Sequence, residues 1–116
     1  MTPVLVDSNV LLDIITNDPE WSEWSASTLT RMADRSRILI NPIIYAEVSA
    51  GFSSFDQSEK ALPNTWVERE SLPYEAAFLA GKVFVAYRKR GGHRTSPLPD
   101  FLIGAHAAVA GYRLLT

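Results

Sequence analysis

The sequence contains no cysteine and only two histidines, His93 and His106. The absence of cysteine excludes disulfides, thiolate zinc sites and cysteine nucleophiles, and it is typical of a protein from a reducing compartment. With so few imidazoles, a metal site would be built mainly from oxygen ligands, which favours Mg²⁺ or Mn²⁺. Because oxygen-rich magnesium sites rarely recruit histidine, we interpret His106 as a core or surface residue of a helix.

Long apolar runs are also absent. No stretch approaches the ~20 uninterrupted apolar residues of a membrane span, and no basic segment precedes an apolar N-terminal one. We therefore expect a cytoplasmic protein that does not associate with membranes. The 116 residues, 47% of them hydrophobic, suffice for one packed domain and are too few for two, so we predict a single domain over residues 1–116.

Charge is distributed unevenly, although the formal net charge is only −2. Residues 82–94 hold five basic residues and no acid, whereas the rest of the chain holds six basic and thirteen acidic residues. Such a basic patch beside an acidic centre can bind a polyanion, which makes Arg88, Arg90, Arg94 and His93 candidates for phosphate contacts. The alternative is that these are solvated residues at and beyond the end of a helix, where cations offset the helix dipole.

The order of apolar segments predicts an α/β fold. We expect strands at residues 4–6, 38–40, 66–68 and 112–115, and helices at residues 9–16, 20–34, 42–48, 73–90 and 100–110. Residues 56–61 are expected to form a short helix or a loop. Because strands alternate with helices, right-handed crossovers and a parallel sheet covered on both faces follow. The prediction is a three-layer α/β/α sandwich with a mainly parallel central sheet.

Two tryptophans, Trp21 and Trp24, fall on the second predicted helix with Leu29 and Met32 at roughly helical spacing. Large aromatic side chains are usually buried, in the core or in an interface. We therefore interpret both tryptophans as core or interface anchors in preference to platforms for stacked bases.

Three acidic residues stand near helix starts that follow predicted strands or loops. Asp7 follows the first strand, Glu47 lies in a helix turn that is otherwise almost wholly apolar, and Asp100 begins the last helix. Each has a plainer role, as a helix cap or a solvent-facing residue. Since parallel strands end at one edge of the sheet, the three acids can also converge on one point. Clustered carboxylates bind a divalent cation or shift a pKa, and we favour a cation that serves phosphodiester hydrolysis.

The motifs resemble the PIN-domain endoribonucleases, especially the VapC-type toxins of prokaryotic toxin–antitoxin modules. The likeness covers nearly the whole chain, through the four segments VDSNVLLD (6–13), NPIIYAE (41–47), PDFLIGAHA (99–107) and GYRLLT (111–116). Each motif is weak alone, and their occurrence in this order makes the resemblance fairly specific.

The resemblance implies a Mg²⁺-dependent endoribonuclease, with Mn²⁺ as a substitute ion, in which Asp7, Glu47 and Asp100 match the metal-binding acids. Asn9 matches a polar residue that steadies the site, and Asp13 is expected to be an outer-shell or structural acid. We expect Ser8 to be only a capping residue. The resemblance also implies an RNA substrate along the basic patch, a cognate VapB-type antitoxin and a homodimer.

The sequence departs from the family pattern at its end. In the family, the Leu-Leu-Thr strand leads to a fourth acid and a fifth strand, whereas this sequence stops at Thr116. We therefore expect a truncated chain whose last edge strand is missing and whose activity is impaired. The alternative function is a weakly active or inactive PIN domain that binds an antitoxin or its own copy. A phosphatase is disfavoured, because no second acid follows Asp7 two residues on.

Overall fold

Four strands and six helices alternate in the described residues, 2–92 and 98–116, of this computed structural model. In chain order they are β1 (Val4–Val6), α1 (Ser8–Ile15), α2 (Ser22–Ala33), β2 (Ile38–Ile40), α3 (Pro42–Ser49), α4 (Phe55–Ala61), β3 (Glu68–Arg69), α5 (Tyr74–Lys89), α6 (Leu98–Ala110) and β4 (Arg113–Leu115). The α/β prediction is confirmed. The third strand is displaced toward the C-terminus, since β3 begins at Glu68 and ends at Arg69, and β4 begins one residue later than predicted, at Arg113.

The four strands form one sheet in the order β3-β2-β1-β4, and each neighbouring pair is parallel. Val4 of the central strand β1 pairs with Ile38 on one side and with Arg113 on the other. Parallel neighbours need a crossover connection, and the helices between the strands supply it. The carboxyl ends of the strands therefore all lie at the same edge of the sheet.

The two inner strands are wholly apolar and fully enclosed. Every residue of β1 and β2 is buried, as expected for parallel strands with helices on both faces. The core continues into α1, α3 and α6 through Val10, Leu11, Ile44, Val48 and Ile103. A smaller cluster joins α5 to α6 through Ala76, Ala80 and Ala105. In the part of the chain described, none of the helices has the length and apolar character needed to cross a bilayer.

Local sequence sets the ends of the helices near the sheet edge. Asn41 caps α3, because its Oδ1 accepts the Ile44 N–H at 2.9 Å, and Pro42 occupies the first turn as predicted. Gly111 has a φ of +75°, a conformation that glycine adopts without steric cost, and it ends α6 before β4. These short-range signals place the helix starts and stops relative to the strands.

Trp24 of α2 and Trp21, which directly precedes this helix, are not core residues. Trp21 and Trp24 are 50% and 49% exposed, whereas the buried residues of α2 are Ser25, Thr28 and Leu29. The predicted core role is therefore wrong, and an interface role stays a prediction. The helix begins at Ser22 because the Asp18 carboxylate accepts the N–H groups of residues 20 and 21 and holds a turn before it.

Candidate active site

A polar side chain directly follows each strand at the carboxyl edge of the sheet. The four residues are Asp7 after β1, Asn41 after β2, Glu70 after β3 and Thr116 after β4. In open parallel sheets this edge is where ligands bind, since the helix N-termini and the loops that follow the strands meet there. The four residues fall into two groups with different surroundings.

Asp7 acts as a helix cap and still presents carboxylate oxygen. Its Oδ1 accepts the backbone N–H of Ser8 at 2.7 Å, which caps α1. Its Oδ2 lies 3.3 Å from the Thr116 hydroxyl, at the end of the neighbouring strand β4. The positive end of the α1 dipole favours a negative charge at this position. Capping and a site role are therefore compatible for this residue.

Glu47 is joined to Asp7 through one serine hydroxyl. Ser8 Oγ donates to Glu47 Oε1 at 2.8 Å and lies 3.4 Å from Asp7 Oδ1. The two carboxylate oxygens are therefore no further apart than the sum of these distances. Ser8 is buried, with 8% of its surface exposed, so this link is held inside the packing of α1 against α3. We refer to Asp7 and Glu47 as the acid pair.

The Ser8 side chain was expected only to cap a helix, and the structure gives it a different contact. The cap oxygen of α1 belongs to Asp7, while the Ser8 hydroxyl reaches a residue 39 positions away. A hydroxyl beside an acid at a helix start is the only signal in the sequence that could have indicated this role. Its partner, Glu47, was identifiable as an acid in an apolar helix.

Asp100 does not join the acid pair in this structure. In residues 2–92 and 98–116, no group of three or more His, Cys, Asp or Glu side chains lies close enough to hold one metal ion. Asp100 is exposed in the first turn of α6, on a groove shared with Leu79 and Val83 of α5. The ring of Phe101 packs on Tyr87 with centroids 5.7 Å apart, which fixes this turn against α5. A ligand role for Asp100 stays a prediction.

The acid pair suits a hard divalent cation. Mg²⁺ in proteins is commonly held by one or two carboxylates and keeps several waters, and Mn²⁺ accepts the same donors. Two carboxylates beside one hydroxyl provide such a donor set without requiring nitrogen or sulfur. The donors present therefore fit Mg²⁺ or Mn²⁺ better than Zn²⁺, which prefers cysteine and histidine.

The two predicted supporting residues make local contacts. Asn9 is exposed, and its Oδ1 accepts the Val10 N–H at 2.9 Å. Asp13 Oδ2 accepts the hydroxyl of the fully buried Ser25 at 2.8 Å, which ties α1 to α2. The Asp13 contact is structural, and a further role of either residue in the site stays a prediction.

The basic patch lies at the end of α5. Arg88 and Lys89 are exposed in its last turn, and the exposed Arg90 follows it. The Arg88 guanidinium lies 5.8 Å from the centroid of the Phe84 ring. Cations at this position also offset the helix dipole, as the alternative interpretation required. The other two predicted phosphate contacts, His93 and Arg94, lie outside the described residues.

A second polar group, which we call the buried network, links Asn41, His106, Glu70 and Tyr112. His106 is fully buried, and its Nδ1 lies 3.0 Å from Asn41 Nδ2. Its Nε2 lies 3.3 Å from Glu70 Oε2 without a well-aligned hydrogen bond. Tyr112 donates its hydroxyl to Glu70 Oε1 at 2.7 Å. The core interpretation of His106 is therefore the one that this structure supports.

Backbone hydrogen bonding fixes the tautomer of His106. The Ile44 N–H is a donor, so the amide oxygen of Asn41 faces it and the amide nitrogen faces His106. Nδ1 must then accept a hydrogen bond, which places the ring proton of the neutral form on Nε2, toward Glu70. The network thereby connects the helix that carries Glu47 to the end of β3.

The pKa of Tyr112 is raised by this network. The hydrogen bond to Glu70 is the main cause, and burial and the nearby negative charge of Glu70 act in the same direction. At the outer edge of the sheet, the hydrogen bond from Arg37 lowers the pKa of the Glu68 carboxyl. Tyr112 and Glu68 both lie away from the acid pair, so these two pKa shifts concern contacts of the sheet and its ends.

The class of fold is defined by a parallel sheet of order β3-β2-β1-β4. Asp7 follows the inner strand β1, and Glu47 lies in α3, the helix after β2. The chain belongs to the PIN domain family, whose model matches residues 4–116. The resemblance inferred from the motifs is confirmed at this level. No curated protein matches the sequence.

Solved structures share the fold at low sequence identity. VapBC2 from Rickettsia felis, bound to a DNA fragment from their promoter, matches with a TM-score of 0.75 and 20% identity over 97% of this chain and 85% of that one. DNA-bound VapBC from Salmonella typhimurium gives a TM-score of 0.71 and 20% identity, over 97% of this chain and 83% of that one. VapBC-1 from nontypeable Haemophilus influenzae gives 0.71 and 20%, over 97% and 84%.

Proposed function

We propose that this protein is a metal-dependent endoribonuclease of the VapC type, which hydrolyses phosphodiester bonds in RNA. PIN domains are in general nucleases that use divalent metals, and the similar structures are VapBC complexes. The observation that carries the proposal is the acid pair, two carboxylates joined by the Ser8 hydroxyl at the ligand-binding edge of a parallel sheet.

In this proposal Asp7 and Glu47 hold Mg²⁺ or Mn²⁺. When bound, such an ion polarises the scissile phosphate and lowers the pKa of a coordinated water. The residues of the chain supply the positioning. Ser8 orients both carboxylates, because its backbone N–H donates to Asp7 and its hydroxyl donates to Glu47. Asp100 is the proposed third acid. A loss of RNA cleavage in Asp100→Asn would support that assignment, and cleavage at the wild-type rate would contradict it.

The basic patch is the proposed contact for the RNA backbone. The end of α5 lies beside the start of α6, as the packing of Tyr87 on Phe101 shows. Arg88 and Arg90 follow Tyr87 in the chain, and we propose that they contact the RNA backbone, with Arg94 and His93 in the same role. Phosphate contacts of this kind weaken as salt is raised, because counterions are released on binding.

The proposed partner is a VapB-type antitoxin, and we propose a homodimer that acts in the cytoplasm. A second candidate function is a weakly active or inactive PIN domain that binds the antitoxin or its own copy. One observation favours it, because no group of three metal-holding side chains forms within the described ranges. Both functions use the same fold and differ in what the acid pair does.

A cleavage assay with matched variants tests the proposal. Single-stranded RNA is incubated in Mg²⁺ with the wild type, with Asp7→Asn, and with Asp56→Asn, which removes an exposed acid on α4. We expect chelation of the metal to stop cleavage. We also expect Asp7→Asn to lose more than about 100-fold, since even outer-shell partners of a metal site account for 10–100-fold. Asp56→Asn should cleave like the wild type.

Two results would count against the nuclease. Cleavage by Asp7→Asn at the wild-type rate would show that the acid pair does not perform it. A wild type that forms a complex with RNA or antitoxin and never cleaves would support the second candidate function.

A further inference from the structure

A cavity of about 290 Å³ lies next to the acid pair. We call it the tryptophan pocket, and its lining residues are Asn9, Val10, Asp13, Trp21, Trp24 and Thr116. Thr116 connects it to the candidate active site, since its hydroxyl lies 3.3 Å from Asp7 Oδ2. The volume is close to the lower end of the range for small-molecule pockets, roughly 300–1,000 Å³, so it suits one ring system.

The two tryptophans of this pocket are not needed to pack their own helix. Trp21 and Trp24 are both about half exposed and meet edge to face, with centroids 6.2 Å apart. The core contacts of α2 are made by its other face, through Thr28 and Leu29. Large aromatic surfaces left exposed beside a polar site commonly mark a binding surface.

The polar atoms of the pocket favour an uncharged occupant that hydrogen-bonds. Asn9 uses its Oδ1 on a backbone N–H, which leaves its Nδ2 as a donor. Asp13 uses Oδ2 on Ser25, which leaves its Oδ1 as an acceptor. In the part of the chain described, the lining includes this carboxylate and no basic side chain, so it disfavours a phosphate.

We propose that the tryptophan pocket holds an unpaired nucleobase of the RNA strand whose phosphate lies at the acid pair. This inference rests on the proposed function. Bases carry both donors and acceptors on their edges and stack on aromatic side chains, and they are accessible in this way only in single strands and loops. Selectivity for unpaired RNA then arises from the pocket as well as from the reach of the carboxylates.

A binding measurement without cleavage tests the pocket directly. Fluorescence anisotropy of a labelled single-stranded oligoribonucleotide is followed in EDTA, with the wild type, Trp24→Leu and Trp66→Leu. Trp66 is a matched control, because it is 40% exposed and lines other cavities. We expect Trp24→Leu to weaken binding by about fivefold to 100-fold, the range for one stacked base, and Trp66→Leu to leave it unchanged.

A conservative variant and a modified RNA separate stacking from a loss of folding. Trp24→Phe keeps an aromatic ring and should restore most of the affinity that Trp24→Leu loses. A ribose-phosphate oligomer of equal length without bases should bind the wild type and Trp24→Leu equally, because no base is present to stack. The effects of Trp24→Leu and of removing the bases on the binding free energy are then non-additive, because both remove the same stacking contact.

Several results would overturn the pocket assignment. These are unchanged RNA binding by Trp24→Leu, an equal loss in Trp66→Leu, the same loss of affinity for the base-free oligomer, or no RNA binding by the wild type. Unchanged RNA binding together with lost binding of an antitoxin would assign the tryptophans to a protein contact instead. Tryptophan-dependent binding in EDTA without any cleavage in Mg²⁺ would contradict the nuclease and leave the pocket assigned.

Discussion

The acid pair and the buried network both use polar residues that follow strands at one edge of the sheet, and they differ in what they leave open. The acid pair has four carboxylate oxygens, which meet only the Ser8 N–H and the hydroxyls of Ser8 and Thr116 as donors in the described structure. The buried network is arranged around a fully buried histidine. His106 Nδ1 meets Asn41 Nδ2, Tyr112 donates to Glu70 Oε1, and His106 Nε2 faces Glu70 Oε2 without a well-aligned hydrogen bond.

This difference distinguishes the proposed cation site from a group whose contacts are structural. An excess of acceptors over donors leaves negative charge that a cation can neutralise. Polar groups buried together instead specify one arrangement of the elements that carry them, because leaving any of them unpaired is costly. The buried network holds Asn41 at the start of α3, and α3 carries Glu47, so the structural group positions the open one.

Removal of the buried imidazole should have the largest effect of the substitutions that separate the two groups. His106→Leu leaves the amide nitrogen of the buried Asn41 without its hydrogen-bond partner, and we expect a loss of about 3 kcal/mol in the free energy of unfolding. Urea denaturation measures it. Ile103→Val, a buried control on the same helix, should cost about 1 kcal/mol. If the two variants were equally stable, the network would have no special role.

Removal of the bridging hydroxyl should affect activity and leave the fold intact. Ser8→Ala keeps the backbone N–H that Asp7 accepts and loses the contact to Glu47. We expect about a tenfold rise in the Mg²⁺ concentration that gives half-maximal RNA cleavage, at nearly unchanged melting temperature. Ser27→Ala on the exposed face of α2 is the control. An unchanged Mg²⁺ requirement would mean that the hydroxyl does not orient the pair.

Removal of the Tyr112 hydroxyl should have the smallest effect, and that effect should depend on pH. Tyr112→Phe loses one hydrogen bond, worth about 1 kcal/mol at pH 8. Because folding raises the pKa of Tyr112, its contribution is fully present below the unfolded value of about 10 and is lost as pH rises through the higher folded pKa. The stability difference from the wild type should therefore shrink above pH 10. A difference that stays constant through pH 11 would exclude this linkage.

Short-range signals explain which parts of the fold were predictable. The apolar runs of β1 and β2, the Asn41-Pro42 helix start and the glycine that ends α6 are each encoded within a few residues. The third strand was misplaced, because Glu68 and Arg69 are exposed at the sheet edge and carry no apolar pattern. The core role allowed for the tryptophans was wrong, since helical spacing does not specify which face of α2 meets the sheet.

The site was predictable to the extent that its residues are chemically conspicuous. Asp7 after a strand and Glu47 in an apolar turn stand out, and the Ser8 hydroxyl links these two of the three acids that were expected to converge. The Ser8 bridge and the contacts of His106 depend on residues dozens of positions apart, which only the packing of helices decides. The placement of Asp100 likewise follows from the packing of α6 on α5.

Titration of the protein with Mn²⁺, followed by electron paramagnetic resonance, tests the central claim that the acid pair holds a divalent cation. The comparison is between the wild type and Glu47→Gln, which keeps the size of the side chain and removes its charge, with Asp56→Asn as the exposed control. We predict that Glu47→Gln binds Mn²⁺ at least about tenfold more weakly and that Asp56→Asn binds it like the wild type. Equal affinity in Glu47→Gln and the wild type would contradict the account.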